Sequence, residues 1–238
     1  MKFAYLIEPP FNFRNDHGKV VGCDVELARF VFSEIGEDFE PIETEFAELL
    51  PGVASGKWKM TTGMFATEER RLVASFSKPI WALPDGILVR NGNPLGLTGY
   101  RSIAEISDCN LAVIRDQFQH RSALEFGIPE NRIRVFETYK EAASAVESGN
   151  ADCYASVGRA HTGFLEQNRD FDGETIIVPA EEKEPAFGCF AFNRTDDALR
   201  TSVDEVLDNY LGGSEHRTMM KRYGFEDREI DLLVQTDS

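Results

Sequence analysis

Residues 18–37, GKVVGCDVELARFVFSEIGE, decide how the rest of the chain is read. The short run Val20-Val21 breaks at Gly22, and behind it Val25, Leu27, Ala28, Val31, Phe32 and Ile35 recur at the spacing of one helical face. Asp24 stands where an N-cap is expected, and Gly36 where a left-handed C′ residue ends a helix. Working outward, the alternation continues. KFAYLI is a β-rich run ended by Pro9-Pro10, and GILVR, NLAVIR, RIRVF, ADCYAS, TIIVP and FGCFAF are further strand candidates. Helices fall between them, two with capping-box patterns, Ser102 with Glu105 and Thr138 with Glu141. Strands alternating with helices predict an α/β fold with largely parallel sheets.

The bulk numbers bound the function. A chain of 238 residues can form one large domain or two ordinary ones, and a 42% hydrophobic content is enough for a core. Asp and Glu outnumber Lys and Arg 41 to 25, a formal charge of −16 that repels phosphate backbones and anionic headgroups, so nucleic acid is not an expected partner. No apolar run approaches the roughly 18 residues of a membrane span, and MKFAYLIEPP lacks the apolar region of a signal peptide. A trimmed export signal would leave the same picture. The four cysteines, Cys23, Cys109, Cys153 and Cys189, form no CxxC pair and read mostly as small buried hydrophobes. His17, His120, His161 and His216 show no metal-ligand spacing, and no GxSxG, P-loop or GxGxxG occurs, so neither metal nor cofactor is expected. His120 reads as solvated. NRDFDG at 168–173 resembles the start of a calcium loop, but the twelfth position is Pro179 instead of Glu.

Two stretches look like connections between lobes, VRNGNPLGLTG at 89–99 and PAEEKEP at 179–185. One crossing at each predicts a discontinuous first lobe, 1–90 plus 184–238, and a second lobe over 91–183. The cleft between them is the natural ligand site.

The series EPPFNF, GKVVGCDVELA, FAELLPGVASGKW, TTGMFATEERR, FSKPIW, GILV and GGSEHRTMMKRYGF resembles the family 3 solute-binding proteins of bacterial ABC importers, in order and over nearly the whole chain. The resemblance implies a two-lobed type II periplasmic-binding-protein fold whose lobes are joined by two hinge strands and close on a ligand. It also implies a monomeric carrier in the periplasm that delivers a small zwitterionic ligand to a membrane permease, with its export signal removed.

In this family a T-x-x-R element grips the ligand's carboxylate, and Arg70 matches the arginine. A guanidinium can bind a carboxylate by two parallel charge-assisted hydrogen bonds, stronger in a closed cleft than in water. Thr67 can add a hydroxyl, and backbone N–H groups around Gly63 can complete the anion site. The competing reading pairs Arg70 with Glu68 or Glu69 on a helix surface. Phe11, Phe46 and Phe65 match positions that line family clefts, where aromatic faces enclose an organic cation; their ordinary alternative is the core.

Departures from the amino-acid binders bear on the ligand. Glu8 stands where those proteins commonly carry a stacking tyrosine, and Val157 where they place an aspartate for the α-ammonium. Their Gly-Thr pair after the strand LAVIR is replaced by Asp116, Gln117, Phe118 and Gln119, the last three being the second lobe's candidate contacts. Glu8 is then the candidate carboxylate for a buried cation, against the alternative of an exposed turn residue. Glu8, Phe11, Phe65 and Arg70 together look most like the ectoine and hydroxyectoine binders, whose ligands are compact zwitterions with a delocalised amidinium; betaine and amino acids come next. Two other readings share the fold: a periplasmic dehydratase-like enzyme with Glu8 as general acid, and the sensory module of a receptor.

Overall fold

The computed structural model describes residues 1–235. They separate into two compact units, Met1–Ala82 with the chain from Phe187 onward, and Leu83–Ala186.

Unit 1 starts with β1 (Lys2–Tyr5), β2 (Phe13–Arg14), β3 (Val20–Val21), α1 (Cys23–Glu34), β4 (Glu40–Glu43), α2 (Phe46–Ala54), β5 (Met60–Thr61), β6 (Met64–Phe65), α3 (Glu68–Arg71) and β7 (Ala74–Leu83). Unit 2 holds β8 (Asp85–Arg90), α4 (Tyr100–Glu105), β9 (Leu111–Ile114), α5 (Phe118–Glu125), β10 (Ile133–Phe136), α6 (Tyr139–Glu147), β11 (Cys153–Val157), α7 (Gly158–Gln167) and β12 (Gly173–Ile177). The chain then returns to unit 1 through β13 (Ala186–Asn193), followed by α8 (Asp197–Tyr210), α9 (Ser214–Arg222) and α10 (Asp227–Gln235).

In unit 1 the sheet order is β4-β1-β5-β13-β6, with β7 also on β13. β1 runs parallel to β4 and β5, and β13 antiparallel to β5 and β6. Helix α1 buries Val25, Leu27, Ala28, Val31 and Phe32, the stripe its spacing predicts. Trp58 lies against Gly52 of α2, where an added Cβ would fall 1.9 Å from the indole, and its Nε1–H donates to the Leu49 carbonyl at 2.9 Å. Unit 2 has the order β10-β9-β11-β8-β12, with β9 parallel to β10 and β11, and β8 antiparallel to β11 and β12. Its core gathers Ile87, Val89, Tyr100, Leu111, Val113 and Cys153.

The structure corrects several expectations. Both sheets are mixed instead of largely parallel, because β7 passes into β8 with no crossover helix between them. The units change at Leu83 and Phe187, not at 90/91 and 183/184, since β8 pairs along its length with β11 and β12. Asp24 is not the N-cap of α1; that position is Gly22, with φ +133° and so close to the Phe11 carbonyl that a Cβ would sit 2.0 Å from its oxygen. The Ser102–Glu105 capping box does not form. Helix α4 starts earlier because the Glu182 carboxylate accepts from the Tyr100 and Arg101 N–H groups, while the Ser102 hydroxyl accepts from the Thr98 and Gly99 N–H groups. The Thr138 box does form: Glu141 N–H donates to Thr138 Oγ1 at 3.2 Å, and Thr138 N–H to Glu141 Oε2 at 3.0 Å. His120 is half-buried on α5, not solvated.

Candidate functional site

The turn after β1 is closed by its own backbone. Glu8 N–H donates to the Asn12 carbonyl at 2.8 Å, and the Phe11 and Asn12 N–H groups donate to the Glu8 carbonyl at 3.0 and 3.1 Å. Pro9 and Pro10 bring no N–H that would need a partner inside so tight a loop. Glu8, Phe11 and Asn12 are all buried, so Glu8 is not an exposed turn residue. The Pro10 and Phe11 carbonyls accept from the Cys23 and Asp24 N–H groups, tying the turn to the start of α1.

Beneath this turn the Asp24 carboxylate acts as a hub. Oδ2 accepts from the Thr62 hydroxyl at 2.6 Å and the Gly63 N–H at 2.8 Å, and Oδ1 from the Trp81 indole N–H at 3.2 Å. Asn12 Nδ2 donates to Thr62 Oγ1 at 2.7 Å, joining turn and hub. Burial raises the Asp24 carboxyl above its ordinary range, and the Thr62, Gly63 and Trp81 donors oppose that rise.

The hub fixes an aromatic row. The Phe11 ring centroid lies 5.3 Å from that of Trp81 with the planes at 41°, and the Phe65 centroid 5.7 Å from it at 69°, the tilted and edge-on geometries that ring quadrupoles favour. Gly63 and Gly188 admit the indole: a Cβ on either would fall 2.8 Å from Nε1 or 2.2 Å from Cζ2.

At the far end of the row, Thr67 caps α3 by accepting from the Arg70 N–H at 3.3 Å. Arg70 Nη1 donates to the Phe65 carbonyl at 2.9 Å, and its guanidinium carbon lies 5.2 Å from the Phe46 ring centroid. Arg71 turns the other way. Its Nε donates to the Ala66 carbonyl at 3.1 Å, its guanidinium covers Phe76, and the side chain is exposed. These contacts connect Phe11, Phe65, Arg70, Thr67 and Phe46 into one neighbourhood, with Glu8 on the adjoining turn. The Gly63 N–H, expected to complete an anion site, is committed to Asp24; what Gly63 supplies is room for Trp81.

Unit 2 holds the other candidates at the start of α5. Gln117 is the N-cap residue, and Gln117 and Gln119 are buried while Phe118 is half-buried. Gln119 Nε2 donates to Asp85 Oδ1 at 2.8 Å, and Asp85 Oδ2 accepts from the Tyr100 hydroxyl and from Lys183 Nζ, both at 2.6 Å. Lys183 Nζ also stands 4.9 Å from the Phe118 ring centroid. The buried Asp85 carboxylate thus has three donors and a full counter-charge, and it orients two of the three candidates. Val157 ends β11 and precedes α7 with no side-chain cap.

Sequence reasoning missed Asn12, Asp24, Thr62, Trp81, Asp85 and Lys183 as parts of these clusters. Only Trp81 carried a local signal, as a tryptophan closing the run FSKPIW. Among the described residues no group of three or more His, Cys, Asp or Glu could hold a metal ion, and no helix is long and apolar enough to cross a membrane.

Two α/β units of this topology, each carrying a polar hub beneath aromatic and amide side chains, describe a ligand-binding protein. The chain matches the bacterial extracellular solute-binding proteins, family 3, over residues 2–226, and belongs to that family. It is similar to a probable amino-acid ABC transporter periplasmic-binding protein of Sinorhizobium fredii, 26% identical over 97% of this chain and 78% of the relative. A probable histidine-binding protein of Campylobacter jejuni is 38% identical over 91% of this chain and 81% of the relative. Among solved structures, the crystal structure of EhuB in complex with hydroxyectoine superposes with a TM-score of 0.85, at 26% identity, over 97% of this chain and 90% of that one.

Proposed function

We propose that this chain is the substrate-binding protein of an ABC importer, capturing a compact zwitterion of the ectoine and hydroxyectoine class. The observation that carries the proposal is the aromatic row Phe11–Trp81–Phe65, which ends at the Arg70 guanidinium and starts beside the buried Glu8 turn. Arg70 takes the ligand's carboxylate, and Thr67 adds a hydroxyl. Phe11, Phe46 and Phe65 cover a cation whose charge is delocalised, and Glu8 balances that charge. In unit 2, Gln117 and Phe118 are further candidate contacts at the start of α5, which Gln119 holds in place through Asp85. Val157 supports the choice of ligand, because an apolar side chain cannot accept from an α-ammonium.

The protein acts as a monomeric extracellular or periplasmic carrier that hands its ligand unchanged to a membrane permease. The family and the names of its relatives support a binding role over a dehydratase. The name of the Campylobacter relative favours a second ligand reading, an amino acid such as histidine.

Mass spectrometry of ligand released from purified protein tests the proposal, together with a thermal-shift panel of ectoines, betaines and amino acids. Ectoines should raise the melting temperature, by mass action equivalent to about 2.7 kcal/mol at a hundredfold excess over Kd. A shift with histidine or arginine and none with ectoines refutes the ligand assignment, and turnover of the bound compound refutes the carrier.

A further inference from the structure

Cys109 and Cys153 are fully buried in the unit 2 core. Cys109 lies just before β9 and Cys153 opens β11, and these strands are parallel neighbours. The starts of the two strands are fastened to each other beside the sulfurs. Asn110 N–H donates to Asp152 Oδ2 at 2.8 Å, and Asp152 N–H returns a bond to the Asn110 carbonyl at 2.9 Å. The sulfurs are left in contact, 3.9 Å apart, at positions 44 residues distant in sequence. The gap that remains to the bonded S–S distance is about 2 Å. The other two cysteines have different surroundings: Cys23 lies 3.6 Å from an Asp24 oxygen, and Cys189 packs in the unit 1 core.

We propose that Cys109 and Cys153 form a disulfide in the secreted protein. The proposal rests on the extracellular placement that family membership implies, because an oxidising compartment is where such a pair persists. The oxidant is an oxidised dithiol, a protein or small-molecule disulfide of that compartment. The Cys109 thiolate attacks one sulfur of it, forming a mixed disulfide and expelling a thiolate. Cys153 then loses its proton and attacks Cys109 Sγ, releasing the second thiolate of the oxidant. Two electrons pass to the oxidant, and the protons of the two cysteine thiols leave. Reaction precedes full closure of the sheet, since both sulfurs are inaccessible afterwards. The bond encloses α5, β10 and α6, so it constrains the unfolded form of much of unit 2.

Protein exported into an oxidising compartment should be quenched in acid, then denatured and alkylated near neutral pH and mapped by mass spectrometry. The expected result is alkylation at Cys23 and Cys189 only, with a linked peptide containing Cys109 and Cys153. Reductant should lower the melting temperature of the wild type by several degrees and leave that of Cys109→Ala unmoved. Protein made in a reducing cytosol, unfolded and then refolded in a glutathione redox buffer, should close the same pair. Four alkylated cysteines in the exported protein, or a different pairing, overturn the proposal, as does a pair that stays open after refolding in the redox buffer. The thiol count needs only wild-type chain, so a variant that fails to fold does not blunt the test. Solute binding is read separately: a protein that binds no solute yet carries the bond loses the carrier reading and keeps this one.

Discussion

Alanine at Arg70 should cost affinity far out of proportion to its cost in stability, and its neighbour provides the calibration. Arg70 and Arg71 make the same kinds of contact within unit 1: a bond to a backbone carbonyl, Phe65 or Ala66, and a guanidinium over a phenylalanine, Phe46 or Phe76. A cation–π contact at a partly exposed site contributes about 0.5 to 1 kcal/mol, and a solvent-shared bond from a cation to a carbonyl about 1 kcal/mol. Both alanine variants should therefore lose about 1 to 2 kcal/mol of unfolding free energy, with Arg71, the more exposed, at the lower end. Ligand affinity should separate them. Only Arg70 is assigned the carboxylate, and truncating one member of a desolvated charge pair costs about 2 to 5 kcal/mol, a loss of about 30-fold to several thousandfold in Kd. Urea unfolding and titration calorimetry with ectoine measure the two quantities on the same samples. Equal affinity losses in the two variants, or an unchanged Kd in Arg70→Ala, would refute the assignment.

Asp24→Asn keeps the shape of the hub but turns an amide N–H₂ toward one of three donors, so it should destabilise the chain by about 1 to 3 kcal/mol. Freed of its acceptor, Trp81 should also change its emission; an unaltered spectrum with unaltered stability would show that the hub does not hold the indole. His161 donates from Nε2 to the Gly86 carbonyl at 3.2 Å and faces the Tyr139 hydroxyl at 2.6 Å, and burial pushes its pKa down to about 3. Between about pH 6 and 4 the unfolded chain binds a proton there that the folded chain does not, so stability falls by about 1.4 kcal/mol per pH unit as pH drops, and is restored above the unfolded pKa. His161→Gln should remove one proton's worth of that slope in urea titrations, and an identical slope in both proteins would contradict the buried neutral imidazole.

What was legible in the sequence is whatever local periodicity or a contiguous motif expresses. Helix α1 and its buried stripe, the strands from KFAYLI to FGCFAF and the Thr138 cap all depend on neighbours within a few residues. Asp24 shows the limit. A carboxylate at the start of a helix looks the same whether it caps the helix or turns inward, and its partners Thr62 and Trp81 lie 38 and 57 residues away. Ser102 was misread for a related reason, since the carboxylate that satisfies the first amides of α4 comes from Glu182. Lys183 sits in an acidic, proline-bracketed run that reads as a connection between lobes, yet its partner Asp85 is fully buried. The antiparallel placement of β8 was also invisible, because pairing partners are a property of the sheet and not of the strand.

The Asp85–Lys183 pair has a consequence for how unit 1 assembles. Asp85 lies just inside the first residue of unit 2, and Lys183 just before its last, so the pair fastens the start of that unit to its end. For unit 1, where β7 must find β13, the intervening stretch of about a hundred residues then behaves as a short connector. By the logarithmic dependence of closure entropy on length, replacing a hundred-residue loop by one of about five residues lowers the cost of that pairing by about 2 to 3 kcal/mol. A unit inserted in the middle of another becomes, once folded, a short link between the two longest strands of its host.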